Sequence, residues 1–269
     1  MDALRAVEGW PAEHVSVGVV SAGGPIATLG DTGLEYRWAS VSKPVTALAC
    51  LVAAEEGTLD LDEPSGPPGS TVRHLLAHAS GLPPEGLSPI ARPGERRIYS
   101  DSGYDVLGAT LADRAEMDFG EYLRAAVLSP LGLGARYEGR PGSGLHGSLD
   151  DLMAVGREAL APRLVAAETF AEATTVAFPG LVGVLPGFGR QEPNDWGLGF
   201  ELRDRKSPHW SGARNSERTF GHFGRSGTFL WVDPEPGVAL ACLTDLTFGE
   251  WAAEAWPALS DAVLAELAG

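Results

Sequence analysis

The feature that most constrains this chain's fold is a pair of hairpin-like stretches at its opposite ends. Near the start, "HVSVGVVSAGGPIATLGD" alternates and is broken by Gly23-Gly24-Pro25. Near the end, "GTFLWVDPEPGVALACLTD" does the same around Asp233-Pro234-Glu235-Pro236-Gly237. Each reads as two antiparallel strands joined by a turn. From Val41 the apolar residues Val45, Leu48, Leu51 and Val52 recur at helical spacing until Gly57, which predicts a helix that begins at Ser40. Further helical stretches are "STVRHLLAHAS", "SGYDVLGATLADRA", "DFGEYLRAAVLSPLGL" and "SLDDLMAVGREAL", and "EWAAEAWPALSDAVLAELAG" closes the chain as an amphipathic helix. Strands at both termini with helices between them predict an α+β fold: an antiparallel sheet formed from both chain ends, flanked by helices, with a mostly helical insertion. We expect one domain over residues 1–269, its α/β part from 1–58 and 216–269 and its mostly helical part from 59–215, since no linker or charge run marks a separable unit.

Composition limits function. A formal charge of −16 repels phosphate backbones, and the nearest basic stretch, "RDRKSPHW", is short and flanked by acids, so nucleic acid is excluded as a partner. Cys50 and Cys242 lie in apolar runs and read as buried, unpaired thiols. No run reaches about 18 apolar residues, which excludes a membrane span. The first residues, "MDALRAVEGWPAEH", do not read as a signal peptide, so a cytoplasmic location is expected. The oligomeric state is not legible.

Against this background, "WASVSKPVTALAC" stands out, because the chain holds only two lysines, Lys43 and Lys206, beside eighteen arginines. On a helix starting at Ser40, Ser40 and Lys43 share a face with Cβ atoms about 5–6 Å apart. A serine hydroxyl needs an adjacent base, and lysine can serve only when its pKa falls from about 10.4 toward 7 or 8. Arginine is effectively never deprotonated, so a base here must be lysine. The bland alternative is an N-cap serine and a snorkelling lysine. Partners must decide. "RRIYSDSGYDVLG" offers Tyr99, whose phenol can share a proton with Lys43, and Asp101, although an aromatic core residue beside an N-cap serine, Ser102, accounts for it equally. "TFGHFGRSGTFLWVDP" would place His222 and Gly224 on or just before an edge strand, where a backbone N–H can join that of Ser40 in an oxyanion hole.

In this order the three segments resemble the serine β-lactamase and penicillin-binding protein superfamily, and within it class C β-lactamases with their esterase and D-aminopeptidase relatives. That pattern runs Ser-x-x-Lys, Tyr-x-Asn, then Lys-Thr-Gly or His-x-Gly; here it is Ser40-Val41-Ser42-Lys43, Tyr99-Ser100-Asp101 and His222-Phe223-Gly224. "TVRHLLAHASGLP", "DWGLGFEL" and "GTFLWVDP" resemble supporting segments, so the likeness covers nearly the whole chain. It implies Ser40 as the acylated nucleophile, Lys43 and Tyr99 as the proton-transfer pair, the N–H groups of Ser40 and Arg225 as the oxyanion hole, and His222 to orient substrate or assist the tyrosine. No metal or organic cofactor is implied, and the partner is a small ester, amide or β-lactam-like molecule.

Three departures bear on substrate. Asp101 replaces the asparagine, turning an amide donor into an acceptor-only carboxylate that would favour a cationic Lys43 and repel an acidic substrate. His222 replaces the lysine that helps bind a β-lactam carboxylate, with Arg225 as the candidate to restore the charge. The chain is also short for class C. The expected function is therefore a serine hydrolase of esters or small amides; a true class C-like β-lactamase and a non-catalytic binding or sensing module are the alternatives. Within the superfamily, Ser100-Asp101-Ser102 also reads as a variant Ser-Asp-Asn, which would make Ser100 the second-motif catalyst. "HLLAH" sets His74 and His78 four apart as in a zincin, but Leu75 stands where the general-base glutamate would be, and structural histidines are expected.

Overall fold

The computed structural model describes residues 1–269. After a 3-10 turn at Asp2–Gly9, strands β1 (Val15–Ser21) and β2 (Gly24–Leu29) form the first hairpin. The two-residue strand β3 (Tyr36–Arg37) leads through a 3-10 turn, Ala39–Val41, into α1 (Ser42–Glu55). Helices α2 (Val72–Leu76), α3 (Asp101–Ala115) and α4 (Phe119–Leu123) follow, the last continuing as a π-helical turn over Arg124–Leu128. The middle of the chain also carries short strands: β4 (Arg136–Tyr137) and β5 (Leu145–Gly147) before α5 (Leu149–Leu160) and α6 (Ala167–Ala173), then the hairpin β6 (Gly183–Leu185) and β7 (Gly189–Gln191), and β8 (Glu201–Leu202). Strands β9 (Phe220–Gly224), β10 (Thr228–Asp233) and β11 (Val238–Thr244) and the helix α7 (Glu250–Ala268) complete it.

The main sheet has the order β2-β1-β11-β10-β9-β8 and is antiparallel throughout, with Val15 opposite Thr244 where the two chain ends meet. This is the α+β arrangement expected from the terminal hairpins. The unbroken apolar run of β11 has a physical reason: both sheet faces are covered. Along β10 and β11, Phe229, Trp231, Leu240 and Cys242 pack toward α7 and the N-terminal turn. Their neighbours Leu230, Val232, Ala239 and Ala241 pack toward α5 and the helical layer. Gly156 lets α5 lie close on the sheet, since a Cβ there would sit 3.2–3.3 Å from Ala239, Leu230 and Val20. Helix α5 starts at a capping box in which Ser148 and Asp151 exchange hydrogen bonds. Both cysteines are buried and free, and burial pushes the Cys50 thiol up to about 12. No helix is long and apolar enough to cross a membrane.

The start of the first helix differs from the sequence expectation. The α-helix begins at Ser42, and Ser40 occupies the preceding 3-10 turn. One residue earlier, Ala39 is held in the left-handed region at φ 47. That conformation costs a non-glycine residue about 1–2 kcal/mol and breaks the helical path. In "HLLAH", α2 ends at Leu76 and His78 has φ 55, so the two histidines do not share the helix face that a zincin pair would need.

Candidate active site

The turn carrying Ser40 is clamped on three sides. The Trp38 indole donates to the Gly147 carbonyl at 3.1 Å, Thr228 donates to the Trp38 carbonyl at 2.9 Å, and the Leu145 N–H donates to Ser42 Oγ at 3.0 Å. Strand β9 approaches this turn closely enough that a Cβ on Gly224 would lie 2.5 Å from the Trp38 carbonyl oxygen. Glycine at 224 thus permits close approach of the backbone that leads into Ser40. Strand β9 is only partly an edge, because β8 pairs with Phe220 and Gly221 and leaves His222 to Gly224 open on that side.

Ser40, Lys43, Tyr99 and Asp101 meet. The Tyr99 hydroxyl donates to Ser40 Oγ at 2.6 Å, and Lys43 Nζ lies 3.3 Å from the same oxygen. Lys43 is fully buried, and its Nζ also contacts Asp101 Oδ1 at 2.5 Å and the Gly142 carbonyl at 3.0 Å. Three donors thus meet three acceptors, a complete set for an ammonium. The Tyr99 and Tyr104 rings lie under that ammonium, with centroids at 4.7 and 5.2 Å. Burial raises the Tyr99 phenol above its ordinary value, against the pull of the Lys43 charge.

His222 sits beside this group, its ring centroid 5.9 Å from that of Tyr99 and 5.4 Å from that of Trp196. Its Nδ1–H donates to the Phe223 carbonyl at 2.7 Å, which leaves Nε2 as a buried acceptor with no protein partner. Burial, and then the Lys43 charge, hold this imidazole down to about 3, so it is neutral. The backbone N–H groups of Ser40 and Arg225 likewise have no hydrogen-bond acceptor in the protein. Ser40, Tyr99, Asp101, Trp196, His222 and Arg225 line one cleft of about 1720 Å³, walled by the β6–β7 hairpin and the loop before Tyr99.

Ser100 has another task. Its buried Oγ accepts the Gly103 N–H at 2.9 Å as N-cap of α3 and donates to the Pro83 carbonyl at 2.6 Å. The cap is therefore Ser100 rather than Ser102, whose hydroxyl accepts the Gly86 N–H at 2.8 Å. Tyr99→Phe is accordingly expected to lower any Ser40-dependent rate by about 10²–10⁴-fold, whereas Ser100→Ala loses a cap worth about 1 kcal/mol and keeps the chemistry. Ester turnover and thermal melts of both variants check this, and a rate collapse confined to Ser100→Ala would reverse the assignment.

Several residues at the site were not legible in sequence. His78 packs on Tyr99 with centroids 4.6 Å apart, and its Nδ1 accepts the Ser100 N–H at 3.1 Å, which fixes the backbone beside Tyr99. Only its place in "TVRHLLAHASGLP" hinted at it. Gly142 enters through a carbonyl, for which no side-chain signal exists. Arg97 is buried and donates to the carbonyls of Ala77, Ala177, Phe178 and Asn194. Lys206, noted in sequence only as part of a basic stretch, is buried in an ion pair with Glu201, whose other oxygen meets His209 at 2.8 Å and Trp210 at 2.9 Å.

A family model described as Beta-lactamase matches residues 15–135 and 133–264, nearly the whole chain. The chain belongs to the β-lactamase family. A solved β-lactamase from Mycobacterium bovis is 52% identical to this family member, with a TM-score of 0.97, 98% of this chain covered and 99% of that one. Penicillin-binding protein 4* of Bacillus subtilis (strain 168) is 29% identical over 131 residues, covering 36% of this chain and 29% of that protein. Esterase EstB of Burkholderia gladioli is 35% identical over 149 residues, covering 49% and 34%. This β-lactamase-family chain thus aligns with only about a third of the length of those two relatives, and the family places it among hydrolases.

Proposed function

We propose that the chain is a serine hydrolase that forms an acyl-enzyme at Ser40 and releases it to water, acting on esters or small amides. The observation that carries this reading is Ser40 Oγ lying between Tyr99 Oη at 2.6 Å and Lys43 Nζ at 3.3 Å, in a cleft that Arg225 also lines. In this reading Lys43 passes one proton to Asp101 across their 2.5 Å contact, and its freed lone pair takes the Ser40 proton as Oγ bonds to the acyl carbon. The bond to the leaving group then breaks, and the leaving group takes a proton from Tyr99. Lys43 restores Tyr99 and Asp101 restores Lys43, so the net transfer is from Ser40 to the leaving group. The N–H groups of Ser40 and Arg225 stabilise the oxyanion, and the neutral His222 Nε2 accepts from substrate.

A second reading, a binding or sensing module, is favoured by one observation: at rest every Lys43 donor is engaged and Tyr99 is a neutral phenol, so no free base stands ready. Intact-mass analysis after incubation with a fluorophosphonate, a short para-nitrophenyl ester and a chromogenic cephalosporin separates the two. The hydrolase reading expects an adduct and turnover lost in Ser40→Ala, with the ester preferred. No Ser40-dependent adduct on folded protein would establish the binding module, and preference for the cephalosporin would establish a β-lactamase.

A further inference from the structure

The protein leaves five large apolar side chains exposed, Ile26, Leu87, Ile90, Met117 and Val184. They are not scattered. Val184, 60% exposed, and Ile90, 54% exposed, both line the cleft, and Leu87 stands on the same loop as Ile90. Exposed apolar surface gathered at a cleft marks a place where something apolar binds.

The backbone fixes where this strip lies relative to the reacting groups. The Arg97 N–H donates to the Val182 carbonyl at 2.9 Å, and Arg97 pairs with Gly183 in a parallel bridge. A Cβ at 183 would stand 2.4 Å from the Arg97 carbonyl oxygen, so glycine is what lets the two segments touch. In that parallel register Val184 runs beside Ile98, which also lines the cleft and directly precedes Tyr99. The far end of the β6–β7 hairpin is fixed too. Gly187, at φ 79, lies where a Cβ would be 2.6 Å from the Phe248 ring, and the Phe248 N–H donates to the Arg225 carbonyl at 2.8 Å. The hairpin that presents Val184 is therefore anchored at both ends, to the segment of Tyr99 and to that of Arg225.

We propose that this strip receives the leaving group of the substrate, so that the preferred substrates are esters of apolar alcohols, with Val184, Ile90 and Ile98 setting the preference. The side is chosen by Tyr99, which in the mechanism above gives its proton to the leaving group and which adjoins Ile98 in the chain. The proposal rests on the hydrolase reading for the assignment to the leaving group, though not for apolar binding. A methylene taken fully out of water is worth about fourfold in affinity. A strip open to solvent on one side gives about twofold, half of that free energy.

Two series of neutral esters provide the test. Ethyl, butyl and hexyl acetate lengthen the alcohol alone, and their alcohols are nearly equal in acidity, so the chemical step is held constant. Ethyl acetate, ethyl butanoate and ethyl hexanoate lengthen the acyl group instead. Measured by acid release at constant pH, kcat/KM is expected to rise about twofold per methylene along the acetates and to change less along the ethyl esters. The rise should flatten in Val184→Ser and in Ile90→Ser, both at exposed positions where a polar side chain is tolerated. Binding of hexyl and ethyl acetate to Ser40→Ala, followed by ligand-observed NMR, gives a readout that needs no turnover. Tighter binding of the hexyl ester, lost when either serine variant is added, supports the apolar strip even where no ester is hydrolysed; the hydrolase reading alone then fails. Equal affinity for the two esters, a chain-length gain that survives both variants, or a steeper gain along the acyl series overturns the proposal.

Discussion

Lys43→Met is expected to lower Ser40-dependent acylation by about 10²–10⁴-fold, the usual range for loss of a positioned acid–base group, and to destabilise the protein as well. The second effect follows from the surroundings: methionine matches the stem but leaves Asp101 Oδ1 and the Gly142 carbonyl without their donor. Breaking a fully buried pair costs about 3–5 kcal/mol, but the Asp101 side chain is 30% exposed and recovers some hydration, so a smaller loss is expected. The double variant Lys43→Met, Asp101→Asn separates the two roles. It removes the orphaned charge, so its urea midpoint should return toward wild type while the rate stays low. If stability and rate recover together, Lys43 is a structural cation and the proton-transfer assignment fails.

Stability should also fall as the solution is acidified from about pH 6.5 toward 5, before most carboxylates titrate. His222, His78 and His209 are buried, and burial lowers all three below the ordinary histidine value, His222 to about 3. The unfolded chain therefore binds protons in this window that the folded chain refuses, so stability is full above the unfolded value and lost as pH falls. His222 alone contributes a loss of about 2 kcal/mol by pH 5, and the other two add in the same direction. His14 works the other way, since Asp245 raises it, but that pair is exposed. Urea unfolding near neutrality and near pH 5 measures the sum. Equal midpoints would mean that these imidazoles are hydrated in the folded protein.

The fold was legible where one local pattern had one geometric answer. Alternation around Gly23-Gly24-Pro25 and around Pro234 to Gly237 marked both hairpins, and their positions at the two ends implied the β1–β11 pairing that closes the sheet. The first helix was placed two residues early because its apolar spacing does not distinguish the 3-10 turn at Ala39–Val41, which tertiary hydrogen bonds hold, from a first α-helical turn. Ser40, Lys43, Tyr99 and Asp101 were found together because their chemistry needs one another and the ordered motifs resembled a known set. His78, Gly142 and Arg97 were invisible for the opposite reason: they act through ring packing or backbone groups, which leave no spacing to read. The second lysine read only as part of a basic stretch because its neighbours in sequence are charged. Glu201, its partner, lies in another element and buries it.

Both lysines of this protein are thus interior, Lys43 fully buried and Lys206 4% exposed, each closed against a carboxylate. The folded surface of residues 1–269 presents no lysine amine. Reagents that couple to lysine amines, such as succinimidyl esters or aldehyde fixatives, meet none on the folded surface of these residues. Tagging enzymes that modify lysine find no acceptor until the chain opens. Its surface charge is carried by carboxylates and guanidinium groups rather than ammonium groups, which leaves these folded residues chemically silent to lysine-directed reagents.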